Sequence, residues 1–205
     1  GAVAEGTRAR GSDHAVIEND RELRPGADRR TTDAGDRDCI DPLGVAIGTV
    51  SSSRGDGVET TPPDPSGEAS ASILVEAGHV VTSRRMVPDD YVRIKTTVSE
   101  CLDRPDVDLV VTTGGTGVTV DDVTPDAVSE LFDRELPGFG EAFRWLSWEE
   151  VRTRIVSTRA TAGIARDVPV FVLPGSVNAV ELATAEIIAE EAPHLAGLAS
   201  RHEVA

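Results

Sequence analysis

The 205-residue sequence predicts a three-layer α/β fold with a mainly parallel central sheet. Three observations carry this. Apolar runs rich in β-branched residues recur at Leu43 to Val50 (LGVAIGTV), Leu109 to Val111 and Val168 to Leu173, the composition of strands buried on both faces. Segments with helical spacing and helix-start signals separate them, and strands alternating with helices close into a parallel sheet covered on both sides. The same three strands run into loops of Gly, Ser, Thr and Pro, so a site is expected in the crevice outside their carboxyl ends.

Residues 1–41 hold no sustained apolar period and are dense in Arg, Asp, Gly and Thr, too little apolar area to offset the entropy of ordering them. They are expected to form a disordered leader, with one α/β domain over residues 42–205. Leu43 to Val50 is the first strand, closed by Ser51-Ser52-Ser53-Arg54, whose hydroxyls and guanidinium either contact an anionic ligand or are ordinary turn residues. Gly55 to Pro65 is a loop. Ser66 is the expected N-cap of a helix whose apolar face is Ala69, Ile73, Leu74 and Ala77, stopped by Gly78. His79 to Val87 is the second strand, and Asp89 the expected cap of a helix from Tyr91 to Leu102.

The stretch DLVVTTGGTGVTVDDVTPD, Asp108 to Asp126, has the densest chemistry. A buried strand leads through Thr113 into Gly114-Gly115-Thr116-Gly117. Glycines permit positive φ and let a ligand approach the main chain, while freed N–H groups and threonine hydroxyls cradle an anion such as phosphate. Asp121 and Asp122 follow, and hard oxygen ligands beside a phosphate cradle suit Mg²⁺. A tight αβ connection with solvated aspartates would look the same. No Lys-Ser or Lys-Thr follows the glycines, so this is not a Walker loop, and G-x-G-x-x-G is absent. Thr124 is the expected N-cap of the next helix, with Pro125 at its first position.

Helix is expected on either side of Pro137-Gly138, and Phe139, Phe143, Trp145 and Trp148 gather there, for core packing or a subunit interface. Ser157 to Ala165 is read as a short helix presenting Arg159, either to a phosphate or to a surface ion pair. Val168 to Leu173 is the last strand. Pro174-Gly175-Ser176 is a second anion loop, and Val177 to Ala192 the closing helix.

TTGGTG, DDVTPDA, Glu135-Leu136-Pro137-Gly138-Phe139-Gly140-Glu141, Ser157-Thr158-Arg159-Ala160 with Gly163, and Pro174-Gly175-Ser176 together resemble the molybdopterin adenylyltransferase family, nearest its molybdenum cofactor biosynthesis protein B branch through GFGEAFRWLSWEE. The similarity spans about Leu43 to Leu195. It implies a molybdopterin-binding-domain-like fold and transfer of AMP from Mg-ATP to the terminal phosphate of molybdopterin, releasing pyrophosphate. It implies that Asp89 and Asp122 are catalytic and hold Mg²⁺, and that Ser51, Thr113 to Gly117, Arg159, Pro174, Gly175 and Ser176 bind substrates. Ser52 stands where the family commonly has an acid or amide. The resemblance further implies a homotrimer or homohexamer and other molybdenum cofactor biosynthesis proteins as partners. Part of that branch is non-catalytic, so a molybdopterin- or nucleotide-binding protein is the alternative, and a flavodoxin-like redox domain shares the topology.

The net charge of −16 lies mostly on residues 42–205, because the leader's acids and bases nearly balance. Such a surface repels nucleic acid and anionic membrane. No stretch is apolar enough for a signal peptide or a membrane span, so a cytoplasmic protein is expected. Lys95 is the only lysine. Acid excess with arginine as the base fits a salt-loaded cytoplasm, where salt screens self-repulsion, and fits a high-GC origin as well. Cys39 and Cys101 form no CxxC pair, and His14, His79, His194 and His202 have no metal-ligand spacing.

Overall fold

A computed structural model describes residues 39–51 and 63–200. The leader up to residue 38, Ser52, Ser53, Arg54 and most of the following loop lie outside those residues. The sheet has six strands in the order β2-β1-β3-β6-β5-β4. β1 (Gly44–Val50), β2 (Val80–Val87), β3 (Leu109–Thr113) and β6 (Val168–Leu173) pair in parallel, while β5 (Thr161–Ala165) and the two-residue β4 (Arg134–Glu135) are antiparallel.

Alternation along each central strand sorts the side chains into two cores. Val45, Ile47, Leu109, Val111, Phe171 and Leu173 point to one face, under α1 (Pro65–Glu76), α4 (Pro137–Val151), α5 (Val177–Ala183) and α6 (Ala189–Ala199). Ala46, Val110, Val170 and Val172 point to the other, under α2 (Tyr91–Leu102) and α3 (Thr124–Ser129). Both faces are therefore dry, as the continuous apolar runs require. Phe139 and Phe143 are core residues, stacked on each other with Phe171 edge-on to Phe139. Trp145 and Trp148, from the same helix, are 76% and 43% exposed.

Several local expectations are corrected. Ser157 to Ala165 is not a helix: a 3-10 turn at Arg152–Ser157 is followed by β5. Arg166 and Asp167, at φ 50° and 62°, form the two-residue turn joining β5 to β6, and its twist suits a hairpin. Gly163 lies under the Phe132 ring, so a Cβ there would enter the ring. The region from Val128 to Phe143 is interrupted by β4 before α4 starts at Pro137. The closing helix runs past Ala192, through a π segment at Thr184–Ile188, to Ala199.

Three caps also move by one or two residues. α1 is capped by Asp64, whose Oδ1 accepts from Gly67 N at 2.9 Å, and Ser66 lies inside the helix. α2 is capped by Asp90, which accepts from Arg93 N at 2.8 Å, and not by Asp89. α3 begins at Thr124, after Val123, and has no side-chain cap bond. Asp64 and Asp90 satisfy helix N–H groups that have no intrahelical acceptor, leaving Ser66, Asp89 and Thr124 for other contacts.

At the far end of the sheet, Ile40 N donates to Pro193 O at 3.0 Å. Ile40 and Ser200 line one hollow of 180 Å³ with Asp108 and Val168, beside the starts of β3 and β6. Among the described residues no helix is long and apolar enough to cross a membrane.

Candidate functional site

The carboxyl ends of β1, β3 and β6 lie side by side, and the residues that follow β3 and β6 meet there. Gly114, at φ +95°, donates its N–H to Leu173 O at 2.9 Å, which ties the glycine loop to the end of β6. Its missing side chain is required, because a Cβ would collide with the carbonyl oxygen of Val50 at the end of β1. On Gly175 a Cβ would stand 3.2 Å from Gly114 Cα, so the two glycine loops pack backbone to backbone. Ser66 Oγ donates to Gly175 O at 2.7 Å and fixes the start of α1 against the second loop. Pro174 and Ser176 line a cleft of 680 Å³ that also holds Phe143 and Ile155, with Ser147, Glu150, Arg154, Thr158 and Asn178 at its other polar positions.

The two candidate catalytic acids both pack against the first loop. Asp89, following β2, brings Oδ1 to 2.7 Å from the point where a Gly115 Cβ would stand, and Asp122 brings Oδ2 to 2.6 Å from the corresponding point on Gly117. Gly115, at φ +63°, also passes close to Thr124 Oγ1. Asp122 Oδ2 accepts from Thr119 N at 2.9 Å and Thr119 Oγ1 at 2.6 Å. The hydroxyl bond, main-chain N–H groups and the Arg159 charge hold the carboxyl below its ordinary value, so it is ionised at neutral pH.

Arg159 is drawn into this loop. Nε donates to Gly117 O at 2.9 Å, Nη1 to both oxygens of Asp126 at 2.9 and 3.0 Å, and Nη2 to Asp122 O. Its own N–H reaches Thr116 O at 2.9 Å. These bonds make the arginine a clamp on the loop, with its charge paired to Asp126. Thr113 is buried with Oγ1 3.5 Å from Thr49 Oγ1, and Ser51 N donates to Val87 O at 3.0 Å. Thus Asp89, Asp122, Ser51, Thr113 to Gly117, Arg159 and Pro174 to Ser176 fall in two adjoining regions of one sheet end.

Asp64 does more than take the cap that the sequence reading gave to Ser66. Its Oδ2 accepts from Thr49 Oγ1 at 3.0 Å and Arg84 Nη2 at 3.2 Å, joining α1, β1 and β2 under the crevice. The dipeptide Asp64-Pro65 was the available signal, since an acid followed by proline is a common N-cap and first helical position.

Among the described residues no three His, Cys, Asp or Glu side chains converge on one point. A Mg²⁺ ion usually takes one or two protein carboxylates and completes its shell with water and substrate phosphates. Asp89 and Asp122, which both pack against the glycine loop, fit that requirement, with oxygen donors only.

Residues 46–194 match the model of the "Probable molybdopterin binding domain". The chain is 41% identical over 150 residues to molybdenum cofactor biosynthesis protein B of Escherichia coli K12, covering 73% of this chain and 85% of that protein. It is 42% identical over 149 residues to the protein of that name from Bacillus subtilis, covering 72% and 84%. The crystal structure of the tungsten cofactor synthesizing protein MoaB from Pyrococcus furiosus superposes with a TM-score of 0.68 at 41% identity, covering 78% of this chain and 98% of that one. With most of its sheet, both glycine loops and both acids inside the matched span, this chain belongs to the molybdopterin-binding domain family of molybdenum cofactor biosynthesis, in its MoaB/Mog-like branch.

Proposed function

We propose that this protein adenylylates molybdopterin, transferring AMP from Mg-ATP to the terminal phosphate and releasing pyrophosphate. The observation that carries the reading is the approach of two carboxylates, Asp89 and Asp122, to alternate glycines of one loop. A molybdopterin phosphate oxygen forms a bond to the α-phosphorus, the bond from that phosphorus to the bridging oxygen of the β-phosphate breaks, and pyrophosphate leaves with the electron pair. The attacking phosphate is already anionic, so no side-chain nucleophile is needed and the protein's work is positioning and charge placement.

The loop Thr113 to Gly117 is read as the phosphate cradle through the groups that its own bonds leave over, since Leu173 O already takes the Gly114 N–H, and Arg159 fixes the loop in register. Asp122, kept ionised by Thr119, and Asp89 provide the carboxylates for Mg²⁺. The ion, when bound, neutralises charge building up at the α-phosphate. Gly175 and Ser176 bind at the other end of the crevice, and the cleft beside them takes a substrate ring. Trp145, 76% exposed, and Val156, 80% exposed, fit a subunit interface, and light scattering after gel filtration tests the homotrimer or homohexamer that the family resemblance implies.

The deciding experiment is pyrophosphate release from purified protein, Mg-ATP and molybdopterin. Release stoichiometric with adenylylated molybdopterin is expected. Binding of either ligand without release would assign the binding-only role instead.

A further inference from the structure

Thr124 is a helix-start threonine that does not cap its helix. It is wholly buried, no side-chain cap bond is made at the start of α3, and its Oγ1 has no hydrogen-bond partner among the described residues. A buried hydroxyl with no partner is costly, on the order of 1–3 kcal/mol, so one held at a functional loop calls for an explanation.

Its surroundings supply one. Thr124 N donates to Gly115 O at 3.1 Å, which anchors the residue to the glycine loop. On the other side of Gly115, Oγ1 of Thr124 and Oδ1 of Asp89 both lie against the point where a Cβ would stand, the Asp89 oxygen at 2.7 Å and the threonine oxygen closer. The two oxygens are therefore no more than about 5 Å apart. Gly115 is the one residue type that leaves this gap open, because a side chain there would occupy it and φ +63° is strained for any other residue.

We propose that Thr124 is a positioning residue for Asp89: when the glycine loop settles, its hydroxyl donates to the Asp89 carboxylate and fixes the direction in which that group faces the crevice. The proposal rests on the reading of Asp89 as an active-site acid, and its structural part can be read without any reaction. Outer groups that orient a charged site residue are typically worth 10- to 100-fold in activity or affinity. Threonine suits the role, since its methyl group packs and limits χ1.

Thr124→Val keeps the shape and removes the hydroxyl, while Thr124→Ser keeps the hydroxyl. Crystal structures of the wild type and both variants provide the first readout. The Asp89 carboxylate should lie within 3.2 Å of Oγ1 in the wild type and the serine variant, on the usual hydrogen-bond criterion, and turn to another rotamer in the valine variant. The same Asp89 rotamer in all three overturns the proposal. The second readout is pyrophosphate release. Thr124→Val should lose about tenfold in kcat with KM and melting temperature unchanged, Thr124→Ser should restore it, and in an Asp89→Asn background Thr124→Val should add no further loss. A fall in kcat that serine does not rescue, or one that follows a lowered melting temperature, reduces Thr124 to a packing residue. Wild-type protein that releases no pyrophosphate removes the adenylylation reading alone, and the structures then decide the coupling of Thr124 to Asp89.

Discussion

Arg159 Nε lies 2.9 Å from the carbonyl oxygen of Gly117, so the segment leading into β5 holds the glycine loop that follows β3. Antiparallel β5, absent from the sequence expectation, is thereby part of the site's support.

Arg159→Lys should retain the charge and lose the fork that reaches Gly117 O, Asp122 O and Asp126 together. The side chain is 37% exposed, so solvent discounts the ion pair, and about 1–2 kcal/mol is expected, a fall of roughly 3–6 °C in a melting curve. Pyrophosphate release should fall further than stability explains, because the loop loses its register. A lysine variant with the wild-type rate would remove the clamp from the mechanism.

Asp122→Asn keeps the shape and removes the charge. The loss of turnover should be on the order of a hundredfold, carried by kcat. Asp89→Asn should behave similarly in rate while leaving α2 intact, since Asp90 makes the cap bond. Calorimetric binding of molybdopterin should survive in both, because that phosphate is drawn to N–H and hydroxyl groups.

Glycine replacements should separate strain from collision. Gly138 lies in the first turn of α4 with nothing within 4 Å of an added Cβ, so Gly138→Ala should stabilise by about 0.5 kcal/mol. Gly78→Ala meets open space but carries φ +98°, a cost of about 1–2 kcal/mol. Gly114→Ala adds a collision with the immobile Val50 carbonyl to a similar φ and should be the worst of the three. Urea midpoints in the order Gly138→Ala, wild type, Gly78→Ala, Gly114→Ala check the ranking.

Arg104 forks onto Asp106, with Nε to Oδ1 at 2.9 Å and Nη2 to Oδ2 at 2.5 Å, and holds that carboxyl below its ordinary value. A carboxyl depressed in the folded state stabilises above its unfolded pKa, and that stability is lost as pH falls through the folded value. Asp106→Asn should therefore melt below the wild type at pH 7, and the gap should close as pH drops below about 4. A gap that persists at pH 2 would assign the effect to packing.

Most of the −16 charge sits on the α/β domain, and lowering KCl from molar to millimolar concentration removes the screening between its acids. A lower melting temperature in dilute salt is expected for a protein adapted to a salt-loaded cell. Equal melting across that range would leave the high-GC explanation for its single lysine.

The bounds of α2 and β6, Tyr91–Leu102 and Val168–Leu173, were legible in the sequence because their signals are local: helical spacing in one, a continuous apolar run in the other. β5 was not. Thr161, Ala162, Gly163, Ile164 and Ala165 show no alternation, and they become a strand because β6 and β4 flank them and Phe132 covers Gly163. The caps erred for a related reason. Asp89 and Asp90 are equally good caps on paper, and only the path of the chain out of β2 turns one to the helix and the other to the glycine loop. Motif recognition singled out Asp89 and Asp122, which the structure brings against Gly115 and Gly117, while the cap of α1 was given to Ser66 because it shares its capping chemistry with Asp64 two residues before it.

The bond from Ile40 to Pro193, and the hollow shared by Ile40 and Ser200, bring the two ends of the described chain together at the pole of the sheet away from the glycine loops. That makes the domain a candidate for circular permutation. A short linker can join residue 200 to residue 39, and new termini can be opened in the exposed turn at Arg166-Asp167, leaving β1, β3 and the first glycine loop uncut. The same closeness would put a reporter domain joined at residue 39 or residue 200 at the pole opposite the glycine loops.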